Sequence, residues 1–294
     1  MTENSLQLRP MLELTSIPEL RSWRRAHREA GRRVGLVPTM GYLHEGHLAL
    51  VDEARRRSDS VALSIFVNPL QFGPAEDLVR YPRDLPRDRA LASGRGADLI
   101  FVPEASSMYP PGSSVRVAPG SLGERWEGAA RPGHFSGVLT IVAKLFHLVE
   151  PDVACFGQKD IQQLALIRRM VLDLDWPLEV VMVKTVRESD GLAMSSRNAY
   201  LDPADRERAL VLSRALQAAH DAWHAGETRP SALETRMRQE LGREPSVTPE
   251  YIAVVDPDAL APVAVAEGTT IVAIAARVGG TRMIDNIVLA EGIV

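Results

Sequence analysis

His44 and His47 stand three residues apart in the stretch Val37-Pro38-Thr39-Met40-Gly41-Tyr42-Leu43-His44-Glu45-Gly46-His47, which runs from an apolar, β-rich segment into a helical one. That spacing places both imidazoles on one side of a first helical turn. Free backbone N–H groups and the positive end of the helix dipole favour anions there. Pro38 and Gly41 suit a tight turn, and Gly46 lets a ligand come close to the backbone. The chemistry this implies is recognition of phosphate oxygens. Two histidines at a helix start also serve as a plain polar cap, but the glycines and the strand-end position favour function. Zinc fits less well, because zincin helices space their histidines four apart around a glutamate, and no third ligand is evident.

Three further clusters carry polar groups at comparable positions. Ser64-Ile65-Phe66-Val67-Asn68-Pro69-Leu70-Gln71-Phe72-Gly73 closes a second apolar run, and the amides of Asn68 and Gln71 suit a small hydroxy acid or an amine. A loop capped by its own amides is an equal reading of that cluster taken alone. Asp77, Tyr81, Arg83, Asp84 and Asp88 follow, most of them read as solvated or helix-capping side chains that would meet a bound Mg²⁺ only by chance of geometry. Phe156-Gly157-Gln158-Lys159-Asp160-Ile161-Gln162-Gln163 sets one of the chain's three lysines in a glycine turn that opens a helix, where an ammonium could neutralise charge developing on a phosphate. Asp160 and Gln163 have the spacing of a capping box, which competes with a ligand role for both. Arg131-Pro132-Gly133-His134 is either a carboxylate clamp or a loop before a helix. Asp190-Gly191-Leu192-Ala193-Met194-Ser195-Ser196-Arg197-Asn198 combines two hydroxyls and a guanidinium in a polar turn suited to a mobile phosphate clamp.

The elements that must position these groups alternate in type. Arg33–Val37, Val61–Val67, Leu99–Val102 and Val153–Phe156 are short apolar runs of the kind buried in parallel sheets. Helical stretches are expected at Leu48–Arg57, Arg83–Ser93, Gly137–Val149 and Ile161–Leu172. This alternation predicts an α/β fold, a parallel sheet with helices on both faces. From about Val186 the texture changes. A long helix opens at Pro203 with Asp202 as its N-cap, a second spans Ser231–Leu241, and β-rich runs follow at Tyr251–Val255, Thr270–Ala275 and Met283–Leu289. Helices followed by strands predict a smaller α+β domain, with the boundary near 184–188.

Composition narrows the classes. The 294 residues are 45% hydrophobic and 24% charged with a formal net charge of −4, which fits a soluble globular protein and not a general nucleic-acid binder. No apolar run approaches the ~18–20 residues needed to span a bilayer. The first fifteen residues lack the basic start and apolar core of a secretory signal, so a cytoplasmic location and no membrane partner are expected. Cys155 is the single cysteine, which excludes an internal disulfide and multi-cysteine metal sites; inside an apolar run it reads as buried filler. Lys144, Lys159 and Lys184 are the only lysines among 34 basic residues, which draws attention to Lys159. P-loop, dinucleotide-binding and Gly-x-Ser-x-Gly signatures are absent.

Taken together, the motifs resemble the α/β nucleotidyl transferases and class I aminoacyl-tRNA synthetases, which pair a His-x-Gly-His helix start with a Lys-Met-Ser-Lys-Ser-like loop. The counterparts here are His44–His47 and Met194–Arg197, with Ala193 and Arg197 where lysines could stand. Within that group the chain resembles the pantoate–β-alanine ligase family. The resemblance rests on PTMGYLHEGH, SIFVNPLQFGP with EDLVRYPRD, RPGHFSGVLTIVAKLF, FGQKDIQQL, RESDGLAMSSRN and GGTRMIDNI, in family order over nearly the whole chain. It implies that ATP and (R)-pantoate form pantoyl adenylate and pyrophosphate, and that β-alanine then displaces AMP to give pantothenate. A Rossmann-like domain over residues 1–185, a smaller lid domain over 186–294, a homodimer and Mg²⁺ with the ATP are implied as well. By the same resemblance Met40, Gly41, Tyr42, Leu43, His44, Glu45, Gly46 and His47 line the ATP site, His47 acting at the α-phosphate with His44 and Lys159 beside it. Gly157, Gln158, Lys159, Asp160, Val186, Met194, Ser195, Ser196 and Arg197 contact nucleotide. Gln71 and Gln163 hold pantoate, Gln71 also helps place β-alanine, and Asn68, Arg131 and His134 complete the pocket. No set of protein metal ligands is implied.

Overall fold

The computed structural model describes residues 11–74 and 76–293. Of the fifteen residues read for a secretory signal, 1–10 therefore lie outside the described residues. Six parallel strands form the first sheet: β1 (Leu12–Leu14), β2 (Val34–Thr39), β3 (Ser60–Ile65), β4 (Leu99–Phe101), β5 (Val153–Gly157) and β6 (Glu179–Val183). Their order across the sheet is β1-β4-β3-β2-β5-β6. Residues alternate between its faces with a period of two. Leu36, Ala154 and Phe156 join one hydrophobic cluster, while Val37, Val153 and Cys155 join another. Such strands, covered on both sides, need no polar face, which is why they read as continuous apolar runs.

The helices are α1 (Ile17–Glu29), α2 (Glu45–Arg57), α3 (Leu85–Gly94), the one-turn α4 (Ala105–Met108) and α5 (Glu127–Ala130), α6 (His134–Val149) and α7 (Ile161–Asp173). Leu20 of α1 packs with α6 and α7 on one face, and Leu50, Val51 and Ala54 of α2 with Ala92 of α3 on the other. Of these elements α1, β1, β6 and the one-turn α4 and α5 went unread in the sequence. The apolar residues of α1 are few, although its Ser16–Glu19 capping box is visible in retrospect. Strands β1 and β6 are short edge strands with exposed positions. Cys155 is fully buried, and burial raises its thiol pKa to about 12, as suits inert filler.

The chain continues into α8 (Pro203–His224), α9 (Pro230–Leu241) and an antiparallel sheet of β7 (Val247–Val255), β8 (Ile271–Val278) and β9 (Thr281–Val288). Asp202 does cap α8, its carboxylate accepting the Asp205 N–H at 2.8 Å with Pro203 at the first helical position. Strand β7 begins earlier than Tyr251 because a bulge between Pro249 and Tyr251 absorbs the proline. The two helices cover one face of this sheet. Its other face, through Ala253, Val255, Ile271 and Ala273, packs on Ala165 of α7 and on Leu122 and Trp126.

One close approach shapes the site directly. The backbone of Pro69–Gln71, a single 3-10 turn, lies on α6 at Gly137; a Cβ there would stand 2.2 Å from the Leu70 carbonyl oxygen and 2.6 Å from the Gln71 nitrogen. All the atoms in the way are backbone, so no side chain can swing aside. Gly137→Ala should therefore lower stability by about 1–3 kcal/mol despite alanine's better helix propensity. The check is the midpoint of urea unfolding; an unchanged or raised midpoint would refute this packing.

Candidate active site

Strand order reverses between β2 and β5, which pair through Gly35–Val153 and Leu36–Ala154. The chain leaves these neighbours toward opposite sides of the sheet and opens a crevice beyond their carboxyl ends. The His44–His47 turn follows β2, the Lys159 turn follows β5, and the Asn68–Gln71 turn follows the adjacent β3.

After β2, Gly41 takes a left-handed φ of +81° and Tyr42 one of 52°. The N–H groups of Tyr42 and Leu43 donate to Asp88 at 2.8 and 2.7 Å. Asp88 is buried, not solvated or capping a helix as its sequence context suggests, and burial raises its pKa against those two hydrogen bonds. His44 is the N-cap of α2, and its N–H donates to Nδ1 of His47 at 3.4 Å; the two rings are 4.0 Å apart. Gly46 makes room for the His44 ring, since a Cβ would stand 2.9 Å from it. Burial and then the charge of Lys159 push the His44 pKa down to about 4. Burial, His44 and Lys159 hold His47 well below its ordinary value. Both rings are thus neutral at pH 7. With Nδ1 of His47 accepting, the network assigns its proton to Nε2.

Asn68 is buried, and its amide is used internally. Oδ1 accepts from Leu70 N–H and Tyr109 OH, while Nδ2 donates to Gln71 Oε1 and the Gly137 carbonyl. Its place is to hold the Gln71 turn against α6. Arg131 is committed in the same way: Nε and Nη2 donate to Glu76, Nη1 to Glu127 and to His134 Nε2, and Nη2 also to the Gln71 carbonyl. These contacts use all five guanidinium donors. His134 Nδ1 lies 2.9 Å from the Gln71 carbonyl, so with Nε2 accepting from Arg131 the ring is neutral with its proton on Nδ1.

The Lys159 turn is a 3-10 turn, Gln158–Asp160, leading into α7. Asp160 occupies the N-cap position without a side-chain cap bond, so the capping-box reading of Asp160 and Gln163 does not hold; both side chains line the cavity instead. The Met194–Arg197 loop meets the His44–His47 turn. Ser196 Oγ donates to the Tyr42 carbonyl at 3.3 Å, Arg197 forms a bidentate pair with Asp77 at 3.0 and 2.9 Å, and Tyr200 OH donates to the Arg80 carbonyl. This polar turn is docked on the first motif. Burial works against the Arg197 charge, but Asp77 outweighs it and raises the pKa.

One cavity gathers Met40, His44, Gly46, His47, Asn68, Gln71, Arg131, His134, Gly157, Lys159, Asp160, Gln163, Val186 and Met194–Arg197. Five of the anticipated residues do not line it. Leu43 is fully buried in the core, Gly41 and Tyr42 shape the turn behind it, Glu45 points outward to Arg95 at 2.7 Å, and Gln158 faces Asn286. Sequence reasoning also missed cavity walls from Thr39, Ser64, Tyr81, Thr185 and the apolar face of α6. Nothing in a stripe such as Val138, Ile141, Val142 and Leu145 distinguishes a cavity wall from a core face. Among the described residues no three His, Cys, Asp or Glu side chains stand together as metal ligands, and no helix is long and apolar enough to cross a membrane.

A neutral imidazole pair at a helix start, a lysine and an arginine-bearing loop around one crevice define a phosphate-handling enzyme of parallel α/β architecture. The model of the pantoate-beta-alanine ligase family matches residues 13–288. The chain is 51% identical over 276 residues to the pantothenate synthetase of Moorella thermoacetica, covering 94% of this chain and 98% of that protein. It is 52% identical over 279 residues to that of Roseiflexus sp., covering 95% and 99%. A pantothenate synthetase structure from Thermus thermophilus superposes with a TM-score of 0.89 at 48% identity, covering 95% of this chain and 99% of that one. A Francisella tularensis pantoate-beta-alanine ligase, described as complexed with beta-gamma ATP and beta-alanine, gives 0.80 at 30% identity over 97% and 100%. The chain belongs to the pantoate–β-alanine ligase family.

The buried histidines tie stability to pH. His134 is pushed down to about 4 by burial and then by Arg131, against 6.5 when free. Between those values the unfolded chain takes up a proton that the fold refuses, so stability is intact above pH 6.5 and falls as pH drops toward 4. The shift sets the loss on the order of 3 kcal/mol. The urea midpoint should fall from about pH 7 to about pH 4.5, and His134→Gln should flatten part of that slope. An unaltered slope in the variant would contradict a neutral buried His134.

Proposed function

We propose that the crevice between β2 and β5 carries both half-reactions of the family in this chain. In the first, a carboxylate oxygen of (R)-pantoate bonds to the α-phosphorus of ATP and the bond to pyrophosphate breaks. In the second, the β-alanine amine bonds to the acyl carbon, the acyl–phosphate bond breaks, AMP leaves and the amine loses a proton. The product is pantothenate. The observation that carries this reading is the meeting of His44 and His47, Lys159 and Ser195–Arg197 around one cavity, from three distant parts of the chain.

The residue roles follow from chemistry. Nε2–H of a neutral His47 donates to an α-phosphate oxygen, and Lys159 and Arg197 offset the negative charge that builds as two anions react. Ser195 and Ser196 add hydroxyl donors. Gly157 leaves open space where a Cβ would project, which lets nucleotide reach the backbone of Gly157 and Gln158. Val186 and Met194 border the nucleotide, and Gly41, Tyr42, Leu43 and Glu45 contribute through the turn and the start of α2. Gln71 and Gln163 present amides to the hydroxyls of pantoate, and Gln71 also to β-alanine. Asn68, Arg131 and His134 act by fixing Gln71. Mg²⁺ fits as an ion brought by the triphosphate, with Asp160 the one carboxylate among the described residues lining the cavity that could reach it; it would neutralise phosphate charge. The division into a 1–185 nucleotide- and pantoate-binding domain and a 186–294 lid, a homodimer and a cytoplasmic location belong to the same proposal, supported by family membership.

The test is ATP–pyrophosphate exchange. Exchange should require (R)-pantoate, and AMP should appear only once β-alanine is added. A folded, ATP-binding protein without pantoate-dependent exchange would overturn the reading, and a nucleotide-linked end product without AMP release would make it a nucleotidyl transferase. Lys159→Ala should slow exchange on the order of 10²-fold or more if its ammonium stabilises the transition state. Exchange at the wild-type rate would remove Lys159 from the mechanism.

A further inference from the structure

Strand β9 carries the sequence Thr281-Arg282-Met283-Ile284-Asp285-Asn286, and neither substrate nor nucleotide has been given a partner in it. Its polar side chains nevertheless hold three separate segments of the site. Asn286 is 2% exposed; its Nδ2 donates to the carbonyls of Gln158 at 3.0 Å and Lys159 at 2.9 Å, and Gln158 Nε2 donates back to its Oδ1 at 3.4 Å. Asp285 is buried and grips Arg187 through two bonds of 2.7 and 3.0 Å. Arg187 in turn donates to the Gly191 carbonyl, inside the hairpin closed by Met194 N–H to the Val186 carbonyl that delivers Ser195–Arg197. Arg282 pairs with Glu127 at 2.6 Å, and Glu127 faces Arg131 at 3.3 Å.

The bond at Lys159 is the most direct of these. A buried amide that donates to two carbonyls of one turn fixes that turn in position, and removing it takes away both bonds. The turn also follows directly on β5, whose Gly157 is in register with Val183 of β6, and runs on into α7, while the Asn286 amide is what bonds it to the second sheet. Charge stabilisation of a transferring phosphoryl group is sensitive to such distances, a misplacement of ~1 Å costing on the order of 10²-fold.

We propose that Asn286 is a positioning residue for adenylation: it acts through the Lys159 backbone and sets the ammonium against the reacting phosphate, so that the second sheet is part of the catalytic geometry. The proposal rests on the assignment of Lys159 to transition-state charge. Asn286→Ala should lower the rate of pantoate-dependent ATP–pyrophosphate exchange at saturating substrates by about 10- to 100-fold, while the KM for ATP stays within about threefold. The deciding measurement is a double-mutant cycle. In a Lys159→Ala background, Asn286→Ala should cost little more, because the group it positions is gone. Should Asn286→Ala fold poorly, Asn286→Ser, which keeps one donor, carries the same cycle and should recover part of the rate.

Exchange within about twofold of wild type in a folded Asn286 variant would overturn the proposal. So would losses that multiply in the double variant, which would show Asn286 acting independently of Lys159. A Lys159→Ala protein with wild-type exchange would remove the assignment beneath the proposal and the proposal with it. That outcome is read from the single variant alone, so the two failures are distinguishable.

Discussion

Two parallel strands lie side by side in this protein while the chain departs from them in opposite directions, and the site depends on that arrangement. The ladder between β2 and β5 forces the turn after each strand to the same end of the sheet, and no covering helix can cross the gap between them. Into that gap come a helix start bearing two imidazoles and a turn bearing a lysine. The low polarity of the surroundings keeps the imidazoles uncharged, and the nearby ammonium reinforces the effect. The anions that enter thus meet a neutral donor pair beside fixed cations, a division of labour set by burial.

Around the crevice, few of the ligand-facing groups are held by apolar packing alone. Asp88 holds the 41–44 turn, Asn68 holds Gln71, Asp77 holds Arg197, and Ser196 ties its own loop to the carbonyl of Tyr42. Each is a polar contact closed within the protein and set just behind the surface a ligand would touch. Buried ion pairs such as Glu127 with Arg131 and Arg282 contribute little net stability, because desolvation offsets their attraction. What they supply is placement: a site that must align two anions against cations needs its parts held more closely than hydrophobic packing alone would hold them.

The second sheet fits this pattern. One face is closed by α8 and α9 in the manner of any small α+β layer, and the other is joined to the first unit by apolar contacts from Ala253, Val255 and Ile271 and by the polar side chains of β9. The polar bonds from Asn286 run to the carbonyls of the Lys159 turn, so the contact between the two sheets reaches the edge of the crevice.

Much of this was legible in the chain itself. Short apolar runs alternating with helical periodicity announced the parallel sheet, and Asp202-Pro203 announced a helix start, because these signals are local and repeat the geometry of the backbone. The four polar clusters were visible as residue types beside turn-forming glycines and prolines. Edge strands β1 and β6 were not, since a short strand with one neighbour has no distinctive pattern. Nor could local pattern tell that Asp88 would be buried under a backbone turn, that Asn68 and Arg131 would be committed to protein partners, or that Asp160 would face a cavity and not cap its helix. It was equally silent on Asn286, 127 residues from Lys159 and bonded to its carbonyl. Residue type and spacing determined which groups were available and which elements carried them. The tertiary structure decided which of those groups were left free for a ligand, because a donor's partner can lie anywhere along the chain and only the folded distances assign it.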